Sequence, residues 1–143
     1  MMHINYLAVF ASAVASMVVG SLWYGPLLGK EFMEAMGMDR WTPEHKARMK
    51  KSMMMSYILQ FVASLFMFDV LAWLMAGLGQ MSVRGGLLVA TLLWIGFVVP
   101  LKFGEAIWGG KMILFWIGIS NMLVTLFVAA AIIGAMGQSK NEK

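Results

Sequence analysis

The sequence predicts an all-α integral membrane protein: a four-helix bundle with a short interfacial helix in its first loop. Three observations carry this. Hydrophobic residues make up 61% of the 143 and charged residues 13%, whereas soluble proteins carry about a quarter charged. A chain this short has too much surface for its volume to hide so much apolar area from water. Four apolar runs, 4–24, 53–78, 83–103 and 112–136, each reach the roughly 20 residues that a helix needs to cross a hydrocarbon core. None alternates polar with apolar residues as barrel strands do. By length the whole chain, 1–143, is one domain.

The first span is expected to be a retained helix. Ala11-Ser12-Ala13 looks like a signal cleavage site, but Met1-Met2-His3 has no basic region and the apolar run continues past it. Loop 25–52 is the only large connection. Within it residues 30–36 suit a short interfacial helix, with Phe32, Met33 and Met36 on one side and Gly37 to end it. Thr42-Pro43-Glu44 reads as an N-cap, a Pro at the first helical position and an acid in the first turn, and Glu44 is spaced to pair with Arg48. That helix should run unbroken into span two. Gly79-Gln80-Met81-Ser82 then reads as a tight turn, and residues 104–111, with Gly109-Gly110, as a short third connection.

Basic residues set the orientation. Lys30, Arg40, Lys46, Arg48, Lys50 and Lys51 in loop one, with Lys102 and Lys111, make eight on one face; Arg84, Lys140 and Lys143 make three on the other. Basic loops stay in the cytoplasm, so both termini are expected outside. The same distribution makes the net charge of +4 a membrane-face signal rather than a nucleic-acid patch. Without Cys there is no disulfide, thiolate metal site or Cys nucleophile.

An internal echo suggests two helical hairpins in the same orientation. Pro26-Leu27-Leu28-Gly29 ends span one and Pro100-Leu101-Lys102-Phe103-Gly104 ends span three. Gln60 precedes Ser64-Leu65-Phe66 in span two, and Asn121 precedes Thr125-Leu126-Phe127 in span four.

The stretch Trp23-Tyr24-Gly25-Pro26-Leu27-Leu28-Gly29-Lys30, followed by Phe32-Met33 and Met36-Gly37, resembles the hallmark of a bacterial membrane family, the domain of unknown function 1761 family. Asn5-Tyr6-Leu7, the Gly-rich third span and Ala131-Ile132-Ile133-Gly134 are similar to it as well. The resemblance covers nearly the whole chain and implies a small multi-pass protein of the bacterial cytoplasmic (inner) membrane. It implies no activity.

Candidate functional residues fall into three groups. Asp69, Gln60, Ser64, Asn121 and Thr125 are polar groups inside spans. An ionised acid at a helix centre costs about 2.5–3.5 kcal/mol on insertion scales, so Asp69 must be protonated, paired or facing a wet cavity. Arg84 and His3 lie on its side of the membrane, and Lys102 does not. Gln60 and Asn121 would either hydrogen-bond as helix glue or line a solute path with Ser64 and Thr125. Trp23, Tyr24, Pro26, Lys30, Pro100, Lys102 and Glu105 form the second group, at the cytoplasmic ends of spans one and three. Pro100 should kink span three and free the Gly96 carbonyl. Together these residues make either a wet vestibule or, with Trp108, an aromatic belt with snorkelling lysines. Ala8, Ser12, Ser16 and Gly20 are the third group, a small-residue stripe that would pack within the bundle or form a homodimer seam.

Met33, Met36 and Met38, near His45, Met49 and Met53-Met54-Met55, offer thioethers that suit Cu(I). Met is also ordinary gap-filling material, and the stretch lies on the side where free copper is scarce, so no metal and no cofactor is assigned. No phosphate loop, zinc-protease helix or nucleophile elbow is present, which leans away from an enzyme. Two function classes remain: a homo-oligomeric small-solute or ion transporter or channel-like element, and a non-catalytic accessory or assembly subunit of a larger membrane complex. The expected partners are the lipid bilayer and either a second copy or that complex, with no nucleic acid.

Overall fold

A computed structural model describes residues 4–141, with side chains at all of them except 39 and 138–141. Asn5 starts α1 (Tyr6–Leu22): its Oδ1 accepts from the Leu7 and Ala8 amides at 3.2 and 3.4 Å. The helix runs on through a π-helical turn, Trp23–Leu27, into the short α2 (Gly29–Met36). Gly37, at φ 75°, ends α2 in the left-handed region that favours glycine. One 3-10 turn, Met38–Arg40, leads to α3 (Pro43–Gly77), where Thr42 Oγ1 accepts from the His45 amide at 3.2 Å and Pro43 opens the helix. Ser82 caps α4 (Val83–Leu93) in the same way. A second π-helical turn, Trp94–Val98, joins α4 to α5 (Val99–Gly109), and α6 is Met112–Asn141.

Four helical stretches are long and apolar enough to cross a membrane: Tyr6–Leu27, Pro43–Gly77, Val83–Gly109 and Met112–Gly137. Among the described residues there is no strand. The short loop helix and the unbroken run from Pro43 into span two are as expected. Spans one and three are longer than the apolar runs implied. The π-turn carries the first to Leu27, and α5 continues to Gly109, so the third connection shrinks to Gly110 and Lys111. One end of the bundle, the loop face, carries α2, the start of α3 and the α5–α6 turn. The other, the terminal face, carries the starts of α1 and α4 and the end of α3.

α6 is the hub, packed against α1, α4 and α5, while α3 leans mainly on α1. The tightest packing is at the terminal face. A Cβ on Gly86 of α4 would lie 2.8 Å from Ala130 O and 2.7 Å from Met75 Cε, and one on Gly134 of α6 would collide with the Ser82 carbonyl and the Val83 amide. Small residues there let helix backbones approach closely, the way membrane helices associate. Of the stripe on α1, Ala8 and Ser12 are buried in this core, and Ser12 Oγ donates to Ala8 O at 2.8 Å with Ala129 O of α6 at 3.4 Å. Ser16, whose Oγ donates to Ala13 O, and Gly20 are half-buried, and the space beside Gly20 is open.

α3 behaves differently along its length. Its buried residues, Ser64, Phe68, Leu71, Ala72 and Met75, all lie in the terminal half. Phe61 meets Phe10 of α1 edge-on at 5.8 Å. Beyond it, toward the loop face, residues 51–60 are exposed on every side. At 35 residues, α3 is about 52 Å long, against a hydrocarbon core of about 30 Å.

Candidate functional site

The π-turns place the site. In each, a backbone amide donates five residues back, Leu28 to Trp23 O at 2.8 Å and Val99 to Trp94 O. Such widened turns recur at functional positions in helices. Pro26 sits inside the first turn. Beside Pro100, where a kink is expected, the second is found: the register changes over Trp94–Val98, and Pro100 falls in the first turn of α5, where a missing amide is tolerated. The two leading tryptophans converge on α6. Trp23 Nε1 donates to Ser120 Oγ at 3.0 Å and Trp94 Nε1 to Ile119 O at 2.7 Å. Two spans thus grip consecutive residues of a third.

Below this grip, toward the loop face, lies a cleft of about 330 Å³. Tyr24 and Phe32, edge-on at 4.7 Å, form one wall. Lys102, Glu105 and Ala106 of α5 form another, and Leu114, Phe115 and Gly118 of α6 the floor. Lys102 Nζ lies 3.2 Å from Glu105 Oε2, and the lysine stem passes over Gly118 with Cδ 3.7 Å from where a Cβ would stand. Lys111 Nζ donates to Ala35 O near the end of α2, a cation on helix-terminal carbonyls that pins α2 over the cleft. The volume falls within the roughly 300–1,000 Å³ of small-molecule sites.

Asn121 and Thr125 continue inward from the floor. With Gly118 they fall within about 60° of one another on α6. Asn121 Oδ1 and Thr125 Oγ1 are buried and, among the described residues, have no hydrogen-bond partner. Buried polar atoms are almost always satisfied, by protein, water or ligand.

The rest of the expected intramembrane path is not assembled. Gln60 is exposed on α3 and among the described residues reaches only Ser64 Oγ, at 3.4 Å, rather than Asn121, because α3 has swung off α6 at that depth. Asp69 does not pair with Arg84. The acid lies about two turns inside the end of α3, whereas Arg84 is exposed at the rim, beside an open groove with Gln80 and Ser82. Asp69 Oδ1 is buried without a partner among the described residues, and His3 lies outside them. Nor is Glu44 in an ion pair with Arg48.

At the mouth, the structure brings Tyr24, Lys102 and Glu105 into the cleft, with Trp23 behind it. Pro26, Lys30 and Pro100 face outward, and Trp108 is almost fully exposed. Met33 and Met36 are exposed on α2, and Met38 is half-buried. Sequence reasoning missed Trp94, Lys111, Gly118 and Ser120. A signal existed for the first, since Trp94-Ile95-Gly96 repeats the Trp-x-Gly of Trp23-Tyr24-Gly25.

Four membrane-length helices, three of which contribute to the cleft, define a small multi-pass membrane protein. The chain belongs to the family described as "Protein of unknown function (DUF1761)", whose pattern matches residues 7–134. No curated protein and no solved structure matches it.

Proposed function

We propose that this protein is a homo-oligomeric small-solute or ion transporter or channel-like element of the bacterial cytoplasmic membrane, with the loop face in the cytoplasm and the termini outside. The observation that carries this reading is that Asn121 Oδ1 and Thr125 Oγ1, buried and without a partner among the described residues, lie on the same face of α6 as Gly118 of the cleft. A buried polar atom without a partner costs about 1–3 kcal/mol, and a passing solute or water removes that cost. The bundle is open at one end and closed at the other by the Gly86 and Gly134 contacts, as one state of an alternating-access protein would be. In this reading Asp69, half-buried in the terminal half of α3, is the group for proton coupling.

The test is volume recovery of proteoliposomes shrunk with glycine, glycerol or potassium chloride. At least one solute should enter faster than into protein-free liposomes, and Asn121→Leu with Thr125→Val should cut that excess about tenfold while detergent-extracted size and helicity stay unchanged. Recovery equal to that of empty liposomes for all three solutes would count against the reading.

A second reading, a non-catalytic accessory or assembly subunit, is favoured by the exposed loop-side half of α3, which leaves room for helices of another protein. Native mass spectrometry of gently extracted protein separates the two. A stoichiometric second polypeptide supports the subunit, and a pure homo-oligomer the transporter.

A further inference from the structure

We propose that the loop-side half of α3 is a self-association surface, on which two copies of this chain pair parallel α3 helices through reciprocal Gln60 carboxamides. The inference rests on the oligomeric part of the preceding reading and is independent of the cleft.

Three observations meet at Gln60. It lies on the stretch of α3 that leaves the bundle, where residues 51–60 touch nothing that covers them. It continues a polar flank, Ser52, Ser56 and Gln60, at i,i+4 spacing. Ser56 Oγ is already satisfied by Ser52 O at 3.0 Å, whereas the only partner of the Gln60 amide among the described residues is Ser64 Oγ at 3.4 Å. That leaves a second amide hydrogen and the carbonyl Oε1. Finally, Gln60 is seven residues into the apolar run that starts at Met53, among side chains suited to lipid rather than to water.

An acyl chain offers neither donor nor acceptor. A second copy offers both: a carboxamide donates and accepts, so two Gln60 side chains across a twofold axis along the membrane normal satisfy each other with no further group. Parallel pairing brings the basic ends together, with Lys46, Arg48, Lys50 and Lys51 beyond the apolar run, and there water and salt screen their repulsion within about 10 Å.

The chain has no cysteine, so single-cysteine variants report the seam directly. Ser56→Cys, Ile58→Cys, Val62→Cys and Ser16→Cys would be oxidised in native membranes and read as cross-linked dimer. Ile58 and Val62 are exposed but turned about 160° from Gln60. Ser56→Cys should cross-link most, and adding Gln60→Leu should cut its yield about fivefold or more, with expression and helicity unchanged because leucine suits an apolar site. Strongest cross-linking at Ser16→Cys would move the seam to α1. That result, equal or absent cross-linking at the α3 positions, or indifference to Gln60→Leu each overturns the proposal. Solute flux enters none of these readouts, so failure of the transport reading leaves this test standing.

Discussion

Gly29 and Lys30 stand side by side in the most specific stretch of the chain, and the structure gives them opposite weights. A Cβ on Gly29 would lie 2.7 Å from Tyr24 O, a backbone oxygen held by the π-turn that cannot move aside cheaply. Lys30 is exposed. Gly29→Ala should therefore cost about 1–3 kcal/mol and visibly lower the thermal unfolding midpoint in detergent, whereas Lys30→Ala should stay within about 0.5 kcal/mol. Equal effects would mean that the stretch is kept for its charge rather than for its turn. The same geometry explains much of the rest of this stretch: Trp23 holds Ser120, Tyr24 meets Phe32 edge-on, and Gly29 lets α2 fold back over the cleft. That these residues sit where span one ends was legible in the sequence, because the apolar run stops there. That they build a joint was not, since a widened helical turn is fixed by what its tryptophan reaches on α6.

At the scale of the helices, the terminal face is held by close approach and the loop face by longer side chains. α4 and α6 meet through Gly86 against Ala130 and through Gly134 against Ser82 and Val83 at the start of α4. Gly86→Leu pushes a side chain against Ala130 O, so the two helices must part. The expected loss is about 1–3 kcal/mol, more if the core opens, read as a lower unfolding midpoint. Gly104→Leu, with open space beside its glycine, is the matched control and should change little. The number of spans, the short loop helix and the unbroken α3 were readable because apolar length and capping residues are local. Which polar flank faces which was not. Gln60 and Asn121 sit at echoing positions in the sequence, yet α3 diverges from α6 at that depth, and polar spacing says which side of its own helix a group occupies without saying what stands opposite. Arg84 and Asp69 failed to pair for a related reason: both belong to the terminal face, but two turns of depth separate them.

For the whole molecule, the two ends differ in both charge and packing. Among the described residues, eight basic residues gather toward the loop face and Arg84 stands toward the other, and the cleft lies at the basic end while close glycine contacts pack the opposite one. The two halves of the chain repeat one another in their Trp-led π-turns but differ in how far their second helices stay in the bundle: α6 is central throughout, and α3 leaves at Phe61. If basic residues set the orientation, the cleft faces the cytoplasm. Glu34 is exposed on α2 and Leu78 is exposed at the α3–α4 turn, and the absence of native cysteine makes each a clean reporter. A membrane-impermeant maleimide added to intact cells should modify Leu78→Cys and spare Glu34→Cys, which should react only once the membrane is opened. The reverse pattern would place the cleft outside, with Lys102 and Glu105 facing the medium rather than the cytoplasm.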